Sequence, residues 1–374
     1  SAEGVHYKQF LQMGWSSIQI KNQFNKNVNL SFGALCNNAL ISFIIGDLFN
    51  IEKIPNGYVL LKMMYSGLCH TQLNEINGIL GKDKYLPHCM GHEGVGSIIK
   101  CGSGVKNFNK GDKVVISWLK KNYLKKYKSI SYLNKNKKIN SGGCNTLSEY
   151  ALVSDNRLYK MSKRNKYMRE SILLGCALPT ASNAIFQLPK LNRNQKVLIM
   201  GMGGLGYACY FILNYLKFKN ISCIDKNQKR LGNLSTFKNC ISQKVNSNNI
   251  NKFINNNFEN FDLIIDCTGS KTLIENSLKL CKKFTGKIVV IGNTKLSEKI
   301  NIKTWDIITG KTLMGAWSNG LPKIKNFKLN EKILINQIKY IKKILPKKNF
   351  HISKINTVID QFSNGKILRP IFKF

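Results

Sequence analysis

Short apolar runs, separated by glycine and asparagine, dominate the chain between about residues 58 and 153. Runs of this kind, rich in Val, Ile and Tyr, predict β-strands. The four clearest are YVLLKMMYSG, GVGSIIKCG, DKVVISW and SEYALVS. Their close spacing is typical of an all-β or barrel-like domain, so we expect this part of the chain to be β-rich.

The pattern changes after about Ala177, where apolar runs alternate with helical stretches. KVLIM precedes a glycine-rich turn and the helical stretch YACYFILNYLKF, and the later runs are NISCID, FDLIIDCTG and GKIVVIGN. Such alternation indicates a parallel sheet with right-handed crossovers. From about Asn319 the chain returns to amphipathic helix and ends in a predicted strand, ILRPIFKF. The predicted fold class is α/β, with a β-rich domain and a doubly wound parallel-sheet domain.

The 374 residues are strongly basic, since 58 Lys and Arg against 19 Asp and Glu give a net charge of +39. Such a balance suggests a nucleic-acid partner, and a nucleic-acid-binding module remains an alternative. However, the excess is mostly Lys and accompanies abundant Asn and Ile, which share A/T-rich codons. We therefore attribute the charge to biased base composition, expect no nucleic-acid partner, and interpret the dense run Leu119 to Lys138 as a solvated lobe.

Eleven cysteines occur without a CxxC pair, and no signal-peptide pattern is visible. These features favour a reducing, cytoplasmic compartment. The longest apolar run, Ala39 to Phe49, is too short to span a bilayer, so we expect no membrane partner. The sequence starts at Ser1 without a Met, so we expect the true start to be missing and leave residues 1–31 unassigned.

The glycine-rich turn has the spacing G-x-G-x-x-G, formed by Gly201, Gly203 and Gly206, with Gly204 in the same turn. It follows a predicted strand, opens a helix and precedes Asp225 by about 20 residues. This context predicts a dinucleotide site, in which the pyrophosphate lies on the helix N-terminus. Asp225 would accept hydrogen bonds from the adenosine ribose and repel a 2′-phosphate, which predicts NAD rather than NADP. A glycine-rich turn without a ligand is the alternative.

Cys69, His92 and Cys176 are candidate metal ligands from distant parts of the chain. Two thiolates and an imidazole form a soft donor set suited to zinc, and three protein ligands leave one position open. Cys176 lies at the junction of the two patterns, which would bring a metal to the cleft that receives the nicotinamide end of NAD. The residues alone leave open the alternative of thiols and an imidazole scattered in a core.

Several motifs occur in order along the chain, namely GLCHT, GHEGVGSI, GSGVKNFNKGDKVV, SEYALVSDNRLYKM, GCALPTA and VLIMGMGGLG. Together they resemble the zinc-containing alcohol dehydrogenases of the medium-chain dehydrogenase/reductase superfamily, over about Phe32 to Phe374. The resemblance implies a GroES-like catalytic domain and a Rossmann domain. The implied boundaries are 32–177 for the catalytic domain, completed by 318–374, and 178–317 for the NAD-binding domain.

By this resemblance, Cys69, His92 and Cys176 are the ligands of one catalytic zinc. Glu93 is the carboxylate beside them, which can approach the metal. Thr71 corresponds to the hydroxyl that touches the substrate oxygen and passes its proton on.

Four further residues correspond to cofactor-binding positions of the family. His70 and Arg369 match basic side chains that meet the pyrophosphate. Thr180 falls near the nicotinamide, and Arg230 lies beside the adenosine ribose. For His70 and Arg230 the alternative of a plain surface charge remains open.

The sequence departs from the family pattern at three places. Gln72 stands where many relatives have an Asp that bonds the zinc-bound His; its amide oxygen can still accept that N–H, but it cannot supply charge. Asn74 replaces a relay His, so the proton must leave by water or the cofactor ribose. The lobe after Trp118 has one cysteine, Cys144, where most zinc members have four, so we expect no structural zinc.

The resemblance implies reversible oxidation of an alcohol to an aldehyde or ketone, with NAD as the hydride acceptor. It also implies a homodimer or homotetramer, with GKIVVIGN and the segment after it near the subunit contact. The alternatives are a zinc-free quinone or enoyl reductase of the same superfamily and a non-catalytic nucleotide-binding protein.

Overall fold

The computed structural model describes residues 54–374, apart from 80, 82, 84, 123, 125, 126, 128, 129, 135, 136, 238 and 318–323. Residues 1–31, which the sequence left unassigned, lie outside the described residues. The chain divides into two compact units. The first contains the described residues up to Cys176 together with Pro346–Phe374, and the second contains Ala177–Leu345.

An antiparallel sheet forms the centre of the first unit. With strands numbered in chain order, the strands of this unit are β1 (Tyr58–Gly67), β2 (Glu93–Cys101), β3 (Lys113–Ser117), β4 (Ser131–Asn134), β5 (Lys137–Asn140), β6 (Tyr150–Ser154), β7 (Leu158–Lys160) and β14 (Ile371–Lys373). The sheet order is β14-β1-β2-β3-β7, β6 also pairs with β1, and β4 and β5 form a separate hairpin. In the register of β2 and β3, Glu93 lies opposite Ser117.

Helices of the first unit support the turn that follows β1. Leu73 and Ile76 pack in one apolar cluster with Val358, Phe362 and Phe372. The helices are α1 (His70–Ile76), α10 (Ile355–Ser363) and the 3₁₀ helices Asp155–Arg157, Glu170–Leu174 and Ile352–Lys354. Because α1 begins directly after Cys69, this cluster also fixes the position of that residue.

A parallel sheet forms the second unit, and its inner strands are apolar and largely buried, as expected when both faces are covered. Its strands are β8 (Lys196–Met200), β9 (Asn220–Asp225), β10 (Cys240–Lys244), β11 (Leu263–Asp266), β12 (Lys287–Val290) and β13 (Thr312–Gly315). Their order is β10-β9-β8-β11-β12-β13. The order reverses direction between β8 and β11, and ligands of open α/β sheets bind at the carboxyl ends of the strands at such a point.

Helices connect these strands. They are α2 (Ala177–Phe186), α3 (Gly204–Tyr215), α4 (Gln228–Gly232), α5 (Ile250–Asn256), α6 (Lys271–Leu280), α7 (Thr304–Ile308), α8 (Ile324–Asn336) and α9 (Ile338–Ile344), with a 3₁₀ helix at Asn233–Thr236. Two of them, α8 and α9, lie in the segment 318–374, which the sequence analysis assigned to the first domain. Asn330 of α8 accepts a hydrogen bond from Ser182 of α2, and Asn214 of α3 donates to Gln337 at 2.7 Å. The division at 318 therefore differs from the structure, where the chain rejoins the first unit at Pro346.

The predicted α/β class is confirmed, and the predicted strand runs coincide with β1, β2, β3, β6, β8, β9, β11 and β12. Sequence reasoning missed β4, β5, β7, β10 and β13. In β10 the side chains from Ile241 to Lys244 are exposed and Ile241 is the one apolar residue among them, so no apolar run marks the strand. Among the described residues, we find no helix with the length and apolar character needed to cross a bilayer.

Candidate functional site

Three turns of the first unit bring Cys69, His92 and Cys176 together. Cys69 caps the start of α1, His92 directly precedes β2, and Cys176 follows the 3₁₀ helix Glu170–Leu174. Their ligand atoms, two sulfurs and an imidazole nitrogen, lie within 4.8 Å of one another. No second group of three potential ligands converges in the part of the chain that the structure describes.

A glycine stands shortly before each of these three ligands, where backbone segments lie in contact. A Cβ on Gly67 would overlap the Glu93 carboxylate. On Gly91, which has φ +101, a Cβ would lie 2.5 Å from the backbone nitrogen of Leu147. On Gly175 it would lie 2.9 Å from the Cα of Glu93. The turns approach this closely because glycine has no Cβ.

The donor set fits a tetrahedral zinc ion. The sulfurs of Cys69 and Cys176 are 3.9 Å apart. Two thiolates at a Zn–S distance of about 2.3 Å would be ~3.8 Å apart in a tetrahedron. Thiolate and imidazole ligands suit zinc, whereas Mg²⁺ and Ca²⁺ require oxygen ligands. Three protein ligands leave a fourth position open, which is the arrangement of catalytic zinc sites.

The two thiols at this site are in hydrogen-bond contact. The Cys176 thiol hydrogen-bonds to Cys69 and holds the pKa of Cys69 well below its ordinary value; Arg369 and His92 lower it further, against the effect of burial. The pKa of Cys176 is raised well above its ordinary value, because its proton is shared with the Cys69 sulfur and the group is buried. Cysteine binds a metal ion as the thiolate, so a bound cation would take both sulfurs in that form.

Cys69 also affects the pKa of the His92 imidazole. Burial lowers the pKa of His92, but the hydrogen bond and the charge of the Cys69 thiolate outweigh burial and raise the pKa overall. A metal ion requires a neutral imidazole, so a bound cation would replace the proton that the thiolate attracts.

Glu93 and Arg369 form a buried ion pair beside the ligands. Glu93 is 0% exposed and Arg369 4% exposed, and the guanidinium Nη2 donates to the carboxylate Oε2. Burial raises the pKa of Glu93, and the charge of Arg369 opposes that rise. The other carboxylate oxygen, Oε1, accepts no hydrogen bond. The predicted roles of Glu93 at the metal and of Arg369 at the pyrophosphate both stay predictions.

The first turn of α1 places Thr71 and Gln72 at the site. The Thr71 hydroxyl lies 3.7 Å from Cys69 Sγ, next to the donor set. The amide oxygen of Gln72 does not bond His92; this Oε1 accepts the backbone N–H of Cys69 at 2.9 Å. Gln72 is the third residue after the helix cap, so its side chain reaches back to the cap, as in a capping box. Its Nε2 has no hydrogen-bond partner.

His70 and Asn74 of α1 differ in exposure. His70 is exposed, and its ring meets Phe362 edge to face at 5.7 Å between centroids. Asn74 is 8% exposed, and its replacement of a relay His stays a prediction.

The predicted nucleotide turn is present in the second unit, between β8 and α3. Gly201 has φ +89, and a Cβ on it would lie 2.6 Å from the Thr268 side chain. A Cβ on Gly206 would overlap the Gly201 carbonyl oxygen, so the helix packs directly on the turn. A Cβ on Gly203 would meet nothing within 4 Å. Gly204 is the first residue of α3, where free N–H groups favour an anion.

Asp225 ends β9 and is tied to this turn. Its carboxylate accepts the backbone N–H of Met202 at 2.7 Å and of Asn227 at 2.8 Å. Arg230 Nη1 lies 3.6 Å from the same carboxylate. A carboxylate has about four acceptor positions, so hydroxyls can still be bound. Thr180 lies in α2 of the same unit, and its role at the nicotinamide stays a prediction.

The lobe after Trp118 is stabilised by polar contacts around Arg157. Arg157 donates to the Trp118 carbonyl, and its Nη1 lies 3.8 Å from the Cys144 sulfur. Asn122 and Asn156 exchange two hydrogen bonds, of 2.8 and 2.7 Å. The prediction that the lobe holds no structural zinc rests on Cys144 being its single cysteine, and it stays a prediction.

Comparison with known proteins shows that the chain is similar to alcohol dehydrogenases. Residues 55–163 match the alcohol dehydrogenase GroES-like domain. Alcohol dehydrogenase class-3 of Caenorhabditis elegans is 25% identical, over 84% of this chain and 90% of the relative. An S-(hydroxymethyl)glutathione dehydrogenase of Photobacterium damsela subsp. piscicida is 23% identical, over 88% of this chain and 96% of the relative.

Solved structures show the same fold. Benzyl alcohol dehydrogenase from Acinetobacter calcoaceticus superposes with a TM-score of 0.70 at 21% identity, over 86% of this chain and 93% of that structure. An alcohol dehydrogenase from Thermotoga maritima gives a TM-score of 0.70 at 18% identity, over 87% and 94%. These similarities show that residues 55–163 form an alcohol dehydrogenase GroES-like domain and that the chain shares the fold of solved alcohol dehydrogenases.

Proposed function

We propose that the chain is a zinc-dependent oxidoreductase that interconverts an alcohol with its aldehyde or ketone and uses NAD. The similarity of the chain to alcohol dehydrogenases supports an oxidoreductase that acts on alcohols. The observation that carries the finer proposal is the convergence of Cys69, His92 and Cys176 within 4.8 Å, with one tetrahedral position left open.

When bound, zinc would supply a Lewis acid toward the alcohol oxygen, and NAD would accept the hydride. The chain's own residues hold and orient these groups. Cys69, His92 and Cys176 would hold the zinc ion through their two sulfurs and one imidazole nitrogen. Thr71, whose hydroxyl is 3.7 Å from Cys69 Sγ, would accept a proton from the alcohol and pass it on.

The second unit would bind NAD. Gly203, where a Cβ would meet nothing within 4 Å, leaves room for a pyrophosphate at the start of α3. Asp225 would accept the ribose hydroxyls, and its charge would disfavour a 2′-phosphate.

Zinc content is predicted to be one ion per chain. Cys69, His92 and Cys176 are the one convergent ligand set among the described residues, and Arg157 brings a positive charge, rather than further thiolates, to Cys144. Elemental analysis of the purified protein tests the count. Two zinc ions per chain would contradict our interpretation of the lobe.

A panel of alcohols and aldehydes, followed through NADH absorbance, tests the activity. The panel includes primary, secondary and polyol substrates, and S-(hydroxymethyl)glutathione because relatives bear that name. We expect turnover that a zinc chelator abolishes and that added zinc restores. Turnover that survives complete zinc removal would favour a zinc-free reductase.

A further inference from the structure

The peptide that precedes the metal ligand Cys176 is bound by the end of β3. The carbonyl oxygen of Gly175 accepts a hydrogen bond from Ser117 Oγ at 2.9 Å and another from the backbone N–H of Trp118 at 3.3 Å. Ser117 is 1% exposed. Two donors on one carbonyl determine the plane of the Gly175–Cys176 peptide, and this plane sets the direction in which Cys176 leaves the backbone.

The Ser117 hydroxyl has a defined orientation. Its oxygen accepts the backbone N–H of Leu119 at 3.2 Å. A serine hydroxyl has a single proton to donate, so that proton is available for Gly175. The backbone carbonyl of Ser117 in turn accepts from the Cys144 thiol at 3.4 Å.

The same residue is tied to the other ligand-bearing segment. In the register of β2 and β3, Ser117 pairs with Glu93, which directly follows the ligand His92. Gly175 packs so tightly here that a Cβ would lie 2.5 Å from the Ile116 carbonyl oxygen. Ser117 therefore contacts both the residue after one ligand and the residue before another.

We propose that Ser117 is a positioning residue for the metal site. It contacts neither metal nor substrate, and it holds the Gly175–Cys176 peptide at the distance from His92 that places the Cys176 sulfur for tetrahedral coordination. This inference rests on the zinc site of the proposed function. Without the hydroxyl, the buried Leu119 N–H would lose its partner and Gly175 would keep one donor, so the Cys176 sulfur would be held less firmly.

The test is Ser117→Ala in the full-length protein, with cobalt(II) replacing zinc as a spectroscopic probe. We expect an altered thiolate-to-cobalt band and zinc affinity reduced about 10- to 100-fold, the usual effect of losing an outer-shell partner. Ser117→Thr retains a hydroxyl and should keep zinc affinity within a few-fold of the unmodified protein. NAD binding should not change in either variant.

Ser277→Ala is the matched control, because Ser277 is also fully buried and donates to a backbone carbonyl, that of Ile274, in the second unit. It should leave the cobalt spectrum unchanged. A Ser117→Ala protein with unchanged spectrum and zinc affinity would overturn the proposal. If Ser117→Ala does not fold, loss of zinc from a folded Ser117→Thr protein would overturn it equally. If the unmodified protein shows no thiolate-to-cobalt band, the zinc site itself fails instead.

Discussion

Replacement of Cys176 tests whether the proposed zinc is needed for catalysis. Serine at this position would replace a soft ligand by a hydroxyl that is not ionised at neutral pH, so Cys176→Ser should lose zinc. We expect turnover to fall by at least ~100-fold because the Lewis acid is lost. NAD binding should stay within a few-fold, since the glycine turn and Asp225 are unchanged. Zinc analysis and NAD titration measure both effects.

Cys240→Ser is the control for that prediction. Cys240 lies on the edge strand β10, and its sulfur contacts only Cys223 and a neighbouring carbonyl among the contacts described. This variant should retain zinc and activity. A Cys176→Ser protein with near-normal zinc and turnover would contradict the ligand assignment.

Asp225 is expected to determine the preference for NAD over NADP. Its carboxylate lies at the end of β9 and bonds the Met202 and Asn227 backbone. Asp225→Ser removes the charge that would repel a 2′-phosphate, so the preference for NAD over NADP should fall by at least ~10-fold, a change of about 1.4 kcal/mol. Steady-state kinetics with both cofactors measure it. Equal use of the two cofactors by the unmodified protein would contradict the ribose argument.

At the scale of elements, the turn between β8 and α3 carries two glycines with different tasks. Gly206→Ala should destabilise the protein by about 1–3 kcal/mol, because the new methyl would overlap the Gly201 carbonyl. Gly203→Ala should leave stability nearly unchanged, since its Cβ would meet nothing within 4 Å. It should nevertheless weaken NAD binding, because the methyl would occupy the space of the pyrophosphate. Denaturant unfolding and NAD titration separate the two effects; unchanged NAD affinity in Gly203→Ala would contradict this phosphate site.

At the scale of the whole molecule, the second unit presents exposed apolar side chains around its sheet edge. α7 has no buried residue, and β13 pairs only with β12 among the described strands. Between residues 284 and 317, which include β12, α7 and β13, the large apolar side chains that are more than half exposed are Phe284, Leu296, Trp305, Ile308 and Trp317, and we call this set the edge patch. A patch of this kind next to an unpaired strand edge is typical of a protein interface.

We therefore propose a homodimer, or a homotetramer built from it, through the edge patch. The sequence analysis expected GKIVVIGN and the segment after it near the subunit contact. GKIVVIGN contains β12, which is an inner strand of the sheet, whereas the residues after it include most of the edge patch. Trp305→Glu should shift the protein toward monomer and weaken association at least ~10-fold. Light scattering at moderate salt, which screens the high positive charge, measures the mass.

Leu124→Glu is the control for the dimer, since Leu124 is 90% exposed in the first unit and lies outside the edge patch. It should leave the assembly unchanged. A monomeric unmodified protein would contradict the proposal.

The sequence by itself determined the fold class, and it singled out Cys69, His92 and Cys176 as candidate metal ligands and the glycine-rich turn as a candidate nucleotide site. Strand and helix periods are local, so β1 and β8 could be read directly from runs of apolar residues. The nucleotide turn was predictable because its glycines are adjacent in sequence and their conformational task is local, as the φ of +89 at Gly201 shows.

The tertiary structure decided which distant atoms meet. Cys69 and Cys176 are separated by 107 positions, yet their sulfurs lie 3.9 Å apart, and no local pattern measures that distance. Gln72 bonds the Cys69 backbone rather than His92 because the helix start places it there. Ser117 gave no sequence signal, since its role comes from the register of β3 with β2 and from contact with Gly175, two relations that exist only once the sheet has formed.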